Sequence, residues 1–452
     1  MAFRTLDQVD LKDKRALVRV DFNVPMNHAE GHDGEVSDDT RLRAAVPTIE
    51  KLRAGGAKVI LLAHFDRPKG KVVPSMSLGP IVEPLAKVLG VPVAFAPDCV
   101  GAKAREAVNA MRPGDVLLLE NVRFHPGEEA NDKAFANELA ANGDLYVNDA
   151  FSAAHRAHAS TEGLAHLLPA YAGEQMRLEL DALDRALGNP ERPVLGIVGG
   201  SKVSTKLDLL SHLVTRLDKL AIGGGMANTF LYAQGHDVGA SYCEKELAET
   251  AREIIRLAGK NNCKLFLPLD VVVAEKMAPG APARVRDPGS IDDDERILDA
   301  GPETVERLCR AMGNSKTLVW NGPLGVFEIP PFDKGTMEAA RHAAKLAREG
   351  KLVAVAGGGD TVAALNAVGV VDDFTFVSTA GGAFLEWMEG KVLPGVAALN
   401  QEETGKGPWL VSLCDSFSIT PPSTAMACRR STSTTWNRRW RSWRPRRPPT
   451  AR

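Results

Sequence analysis

Val194-Leu195-Gly196-Ile197-Val198-Gly199-Gly200-Ser201-Lys202-Val203-Ser204-Thr205-Lys206 decides the fold. The first five residues carry no charge and no polar alternation, so they read as a strand buried on both faces. Gly199-Gly200 supplies the turn. The residues after it read as the start of a helix, with Lys202 and Lys206 four apart on one face. Strand, glycine turn and helix in that order form the repeating unit of a parallel α/β layer. The Gly-x-x-x-x-Gly-Lys-Ser/Thr spacing of a Walker loop is absent.

Working outward, the same unit recurs. Apolar runs stand at Ala16–Val20, Lys58–Leu62, Val116–Leu119 and Asp144–Val147, then at Lys264–Leu267, Thr317–Trp320 and Lys351–Val355. They fall into two clusters, which predicts an α/β protein of two doubly wound parallel-sheet (Rossmann-like) domains joined by a hinge helix. The joint is expected between His166 and Pro193, where Glu174–Leu187 reads as one amphipathic helix ended by Gly188-Asn189-Pro190. The expected domains are therefore 1–168 and 191–385, with the joining segment at 169–190.

A chain of 452 residues exceeds one ordinary core, which agrees with two domains. Its 44% apolar and 25% charged residues are those of a soluble globular protein, and no apolar run is long enough to span a membrane. The N-terminus lacks the apolar stretch of a secretory signal. Cys99, Cys243, Cys263, Cys309, Cys414 and Cys428 are scattered without a Cys-x-x-Cys pair. That argues against a disulfide scaffold or zinc site and points to the reducing cytoplasm.

Ligands of open α/β sheets bind beyond the carboxyl ends of the strands. After the first four runs come Asp21-Phe22-Asn23 with Arg41, His64-Phe65-Asp66-Arg67, Glu120-Asn121-Val122-Arg123, and Asn148-Asp149 with His155-Arg156. Arg41, His64, Arg67, Arg123 and Arg156 would form a basic pocket able to hold a carboxylate and a phosphate. Scattered surface arginines are the bland alternative, and five consecutive post-strand positions disfavour it. In the second half, glycine clusters follow strands at Ile222–Ala227, Trp320–Glu328, Ala356–Thr361 and Ser378–Ala383. One such cluster is usually a tight turn. Four in one domain, one of them carrying Asp360-Thr361, suggest a nucleotide triphosphate platform.

The order of these segments over about residues 5–400 resembles the phosphoglycerate kinase family. The resemblance implies a phosphotransferase with a carboxyl group as acceptor, which acts in glycolysis. It moves a phosphoryl group reversibly, in line, from 1,3-bisphosphoglycerate to ADP after hinge-bending closure. Asp21, Asn23, Arg41, His64, Arg67, Arg123 and Arg156 then match the 3-phosphoglycerate site of domain 1–168. Lys202, Lys206, Gly223, Gly224, Asn321, Glu328, Gly358, Gly359, Asp360 and Thr361 match the nucleotide site of domain 191–385, with Glu328 on the ribose and Asp360 on Mg²⁺ held with ATP or ADP. Arg41, Lys202, Gly381 and Gly382 match the positions around the phosphoryl group in transit, and 386–400 would pack back on the first domain. The chain is expected to be a cytoplasmic monomer whose partners are small molecules, not nucleic acid or membrane.

Phe65-Asp66 stands where the family usually has Leu-Gly, and Ala380 replaces a usual glycine. Asp66 is expected to face solvent, and the alternative is that it weakens anion binding. The stretch Asn27–Gly34 reads as a mobile loop, with His28 and His32 as exposed loop histidines rather than metal ligands. Residues 408–452 hold nine arginines, no lysine and one acid, leaving the rest of the chain at −10. This Arg, Trp, Pro and Ser-rich tail is expected to be disordered and reads as a shifted reading frame of a GC-rich gene. A tail binding nucleic acid or an anionic membrane is the alternative. A nicotinamide dehydrogenase is disfavoured because no Gly-x-Gly-x-x-Gly follows the first strand. A non-enzymatic nucleotide-binding scaffold would lack a second complete pocket.

Overall fold

The computed structural model describes residues 3–27 and 35–400. Most of the Asn27–Gly34 loop, with both its histidines, and the whole 408–452 tail lie outside the described residues.

The first sheet holds β1 (Arg15–Arg19), β2 (Lys58–Leu62), β3 (Val93–Ala96), β4 (Val116–Leu119), β5 (Leu145–Asn148) and β6 (Ala170–Ala172). Their spatial order is β3-β4-β2-β1-β5-β6, with every pair parallel. The second half begins with β7 (Val194–Val198), β8 (Lys219–Ile222) and β9 (Lys264–Phe266). A small antiparallel sheet of β10 (Val271–Ala274), β11 (Arg284–Arg286) and β12 (Arg296–Ala300) follows. Then come β13 (Thr317–Asn321), β14 (Val353–Gly357) and β15 (Phe376–Ser378), which complete a second parallel sheet in the order β15-β14-β13-β7-β8-β9. The chain is an α/β protein in a two-domain Rossmann-like arrangement.

Strand order reverses between β1 and β5 in the first sheet and between β7 and β13 in the second. Crevices open at such reversals because adjacent crossovers leave in opposite directions. At the second one the backbones nearly touch: a Cβ on Gly199 would fall 1.8 Å from the Pro323 carbonyl oxygen, and Gly322 meets Gly199 in return. Only glycine permits that approach, so this turn cannot be filled by side chains.

Helix Glu174–Leu183, continued by a π-helical turn to Gly188, lies between the sheets in the chain. Its Met176, Leu180 and Leu183 belong to one apolar cluster that also contains Leu17 and Ile60 of the first sheet and Val194 and Val198 of the second. The short helix Pro394–Ala397 lies against the first half: Gly395 N donates to Ala154 O at 2.8 Å, and Asn148 Nδ2 donates to Gly395 O at 3.1 Å. No helix among the described residues is long and apolar enough to cross a membrane.

The helix expected directly after Gly200 is a correction. It begins only at Leu207 and runs to Leu213, so Lys202 and Lys206 share no helical face. Ser204 explains the delay, since its N and Oγ both donate to Glu244, at 3.0 and 2.6 Å. Thr205 Oγ1 also donates to the Lys202 carbonyl at 3.0 Å. Hydroxyl side chains that bond locally offer the backbone an alternative to the helix. The expected run Lys351–Val355 likewise shifts, opening at Val353 and reaching Gly357.

Candidate active site

At the β1/β5 crevice the described residues build a basic pocket. Arg41, on helix Thr40–Ala54, points NH1 at both Asp21 oxygens at 3.0 Å and at the Asn23 carbonyl at 2.9 Å. Ser152, which follows β5, donates Oγ to the same Asp21 at 2.6 Å. Asn23 Oδ1 accepts from Asp66 N at 2.8 Å, and the Asp66 carbonyl accepts from Arg123 NH1 at 2.8 Å. Asp66 therefore contributes through its backbone, which takes the left-handed φ of 52°, while its side chain is exposed. That is the conformation for which glycine is the easy choice, and aspartate is among the few other residues that tolerate it.

Arg123 is only 4% exposed, yet its Nε has no hydrogen-bond partner. A Glu129 oxygen stands 3.5 Å away. Burial, then the charges of Arg19 and Arg156, push this guanidinium down to about 10, so it remains cationic at neutral pH. His64 is also buried and faces Arg19, Arg123, Arg156 and Arg41. Desolvation, followed by those four charges, holds its imidazole well below the ordinary value. Around Arg123, Glu129 and Glu128 offset only part of this burial and repulsion, and buried positive charge is costly unless an anion joins it. Arg156 is half-buried and donates Nε to His155 Nε2 at 3.1 Å. Arg67 is exposed, with no side-chain partner among the described residues.

At the β7/β13 crevice a cleft of about 660 Å³ is lined by Gly200, Gly223, Gly224, Glu328 and Asp360 and walled by Phe266, Leu298, Leu308, Leu324 and Val326. Three helix N-termini converge near it, at Gly225, Gly359 and Gly381. Gly224 N donates to Leu324 O at 2.8 Å, and a Cβ on Gly381 would lie 3.9 Å from Gly359 N. Thr361 Oγ1 accepts from Gly322 N at 2.6 Å, and Asn321 Nδ2 donates to Gly357 O at 2.9 Å. Lys206 donates to Asn321 Oδ1; burial lowers its ammonium pKa against the opposing pull of Glu389 and Asp360. Lys202, next to the cleft-lining Ser201, is exposed and in loop.

Of the expected residues, the structure thus joins Asp21, Asn23, Arg41, His64, Arg123 and Arg156 in one pocket and Lys206, Asn321, Asp360 and Thr361 around one turn. Lys202 and Arg67 are exposed and make no side-chain hydrogen bond among the described residues. Sequence reasoning missed Arg19, Ser152 and Glu128, and the apolar wall of the cleft. The helix starting at Gly381 reaches the turn after β5, where a Cβ on Gly382 would sit 3.4 Å from the His155 ring.

Residues 6–391 match the family described as phosphoglycerate kinase. The protein of that name from Caulobacter vibrioides is 70% identical over 399 residues, which is 88% of this chain and 100% of the relative. Its namesake from Brucella abortus is 61% identical over 401 residues, 89% of this chain and 100% of the relative. The solved phosphoglycerate kinase of Coxiella burnetii has 41% identity and a TM-score of 0.81, covering 88% of this chain and 99% of that one. That of Pyrococcus horikoshii has 29% identity and a TM-score of 0.72, with 88% and 98% covered. A cationic pocket and a glycine-lined cleft at the switch points of two sheets, in a chain that spans such relatives from end to end, lead to one assignment: the chain belongs to the phosphoglycerate kinase family.

Proposed function

We propose that this chain carries out its family's reaction, moving a phosphoryl group reversibly between 1,3-bisphosphoglycerate and ADP to give 3-phosphoglycerate and ATP in glycolysis. The observation that carries this reading is a basic pocket and a glycine-lined cleft at the switch points of separate sheets, with Gly382 close to His155 between them. Asp21, Asn23, Arg41, His64, Arg67, Arg123 and Arg156 hold the acid phosphate. Lys206, Gly223, Gly224, Asn321, Glu328, Gly358, Gly359, Asp360 and Thr361 hold the nucleotide, whose base lies on the apolar wall. Phosphoryl transfer needs in-line placement and dispersed positive charge rather than a general base. Arg41 and Lys202 flank the moving group, and the helix N-terminus at Gly381-Gly382 offers it backbone N–H groups. The two halves, meeting at the helix Glu174–Leu183, close on the paired substrates and expel the water that would hydrolyse an acyl phosphate.

The residues fit a magnesium ion. Asp360 is exposed on the first turn of its helix, lines the cleft, and has no hydrogen-bond partner among the described residues. Mg²⁺ takes one or two carboxylates together with phosphate oxygens, and when bound it neutralises charge on the nucleotide phosphates. Four free cysteines among the described residues agree with a cytoplasmic enzyme, which we take to act as a monomer.

An ATP-forming assay from acyl phosphate and ADP tests the reading, run beside NADH absorbance. ATP that appears only with both substrates supports it; NADH turnover, or no ATP with both ligands bound, overturns it. Small-angle scattering should show compaction only with both ligands present, and an unchanged radius of gyration contradicts closure.

A further inference from the structure

Arg19 ends β1 with its side chain wholly out of solvent. Guanidinium groups are almost never buried unless each donor has a use. Here Nε donates to Ser160 Oγ at 2.8 Å and NH1 donates to the Val20 carbonyl. NH2 stands 2.9 Å from His64 Nδ1. Behind Ser160, the fully buried Glu128 carboxylate accepts from Ser160 N at 2.9 Å and Oγ at 2.6 Å. A connected line thus runs Glu128, Ser160, Arg19, His64, from the interior to the pocket.

A guanidinium offers only hydrogens, so Nδ1 of His64 must present its lone pair and Nε2 must carry the ring's hydrogen. We infer that Arg19 is a positioning residue that locks His64 as the neutral Nε2–H tautomer, so that the pocket presents the acid substrate with a donor of fixed direction. The inference rests on the reading that His64 faces that substrate. The charged groups around the imidazole are Arg19 from β1, Arg41 from the helix after it, Arg123 from the turn after β4 and Arg156 from the turn after β5. All four are positive, and Glu128 stands beyond Ser160. A protonated His64 would add a fifth positive charge and turn its Nδ1 hydrogen against those of Arg19. Binding of the acid is therefore independent of His64 protonation across about pH 5.5–8, a range in which an ordinary histidine titrates.

Nitrogen-15 spectra of histidine-labelled full-length protein test the tautomer directly, with His64→Gln identifying the signal. The expected result is a hydrogen on Nε2, a bare Nδ1, and no change across that pH range. A hydrogen on Nδ1, or an ordinary titration, overturns the inference. Kinetics supply the second arm. Arg19→Met should raise KM for 3-phosphoglycerate about tenfold at pH 8 with kcat changed only a few-fold. Its KM should then fall as the pH drops, because the imidazole, relieved of one of its four positive neighbours, protonates more readily and attracts the substrate. Arg19→Lys, which keeps the charge and one donor, should recover part of the loss. A flat KM profile in Arg19→Met counts against the inference, and if that variant does not fold, the spectra of the parent protein decide. His64→Ala with unchanged KM would instead remove the substrate reading while leaving the tautomer result intact.

Discussion

Arg41 is held by Asp21, its NH1 lying 3.0 Å from each carboxylate oxygen, and Ser152 reaches the same carboxylate from the far side of the β1/β5 crevice. The pair is partly exposed, so as an ion pair it adds at most about 1 kcal/mol to stability. Its larger effect is to aim a mobile guanidinium. Asp21→Ala should lower kcat/KM for 3-phosphoglycerate at least about tenfold, while the melting temperature falls by no more than a few degrees. Steady-state kinetics and a thermal melt check both halves; unchanged kcat/KM would mean that Arg41 needs no such support.

Much of this arrangement was legible because buried parallel strands are continuous apolar runs. β2, β4 and β7 start and stop where Lys58–Leu62, Val116–Leu119 and Val194–Val198 do. Once the strands are placed, the rim residues follow from topology. Short or half-exposed strands carry less signal, as in β3, β6 and β15. β11 is Arg-Val-Arg, three residues with no apolar pattern, and only its pairing to β10 makes it a strand. Arg19 was hidden for the opposite reason, since it sits inside a run that reads as core. A charge within a strand buried on both faces is itself the clue to a buried polar network.

Asp66 offers a test of backbone against charge. Asp and Ala both carry a Cβ at this φ of 52°, but aspartate tolerates the left-handed region better, so Asp66→Ala should cost up to about 1 kcal/mol of stability. Asp66→Gly should cost little, because the N–H to Asn23 and the carbonyl to Arg123 are kept. Removing the carboxylate beside Arg67 should also lower KM for the acid a few-fold at low salt, an effect that disappears as ionic strength rises. Denaturant melts and KM at two salt concentrations read the two effects separately. Equal stability of the alanine and glycine variants would remove the backbone argument.

Glu179, on the helix between the sheets, is 1% exposed. Burial pushes its carboxyl up to about 8, against hydrogen bonds with Ser378 and Gln175. The folded state therefore keeps a proton that the unfolded state releases between about pH 4.5 and 8, and stability falls as pH rises through that window. Glu179→Gln should flatten this slope and melt higher than the parent at pH 8, with the advantage gone near pH 4.5. The slope should not vanish, because burial also raises Asp149 and Asp299 to about 7. Melting temperatures at pH 5 and 8 decide; identical slopes in parent and variant would place the proton elsewhere.

The last prediction separates binding the substrate from stabilising its transition state. Lys206 is already committed to Asn321, whereas Lys202 is exposed in the loop between β7 and helix Leu207–Leu213, and no hydrogen bond holds its ammonium among the described residues. An untethered ammonium can follow a phosphoryl group between two oxygens, and its contact is strongest when charge is shared in transit. Lys202→Ala should lower kcat at least ~100-fold, about 2.7 kcal/mol of barrier, while KM for each substrate moves only a few-fold. Arg123 is the opposite case, being buried and fixed to the Asp66 carbonyl, with an Nε that makes no hydrogen bond. Its replacement by alanine should act mainly on KM for the acid. The bland alternative is that Lys202 is an ordinary surface lysine, whose loss changes stability by less than about 0.5 kcal/mol and activity hardly at all. Kinetics on both variants, with circular dichroism to confirm folding, distinguish the two. Should Lys202→Ala retain most of the parental kcat, the phosphoryl group is stabilised by the helix N-terminus at Gly381 and by Arg41 without it.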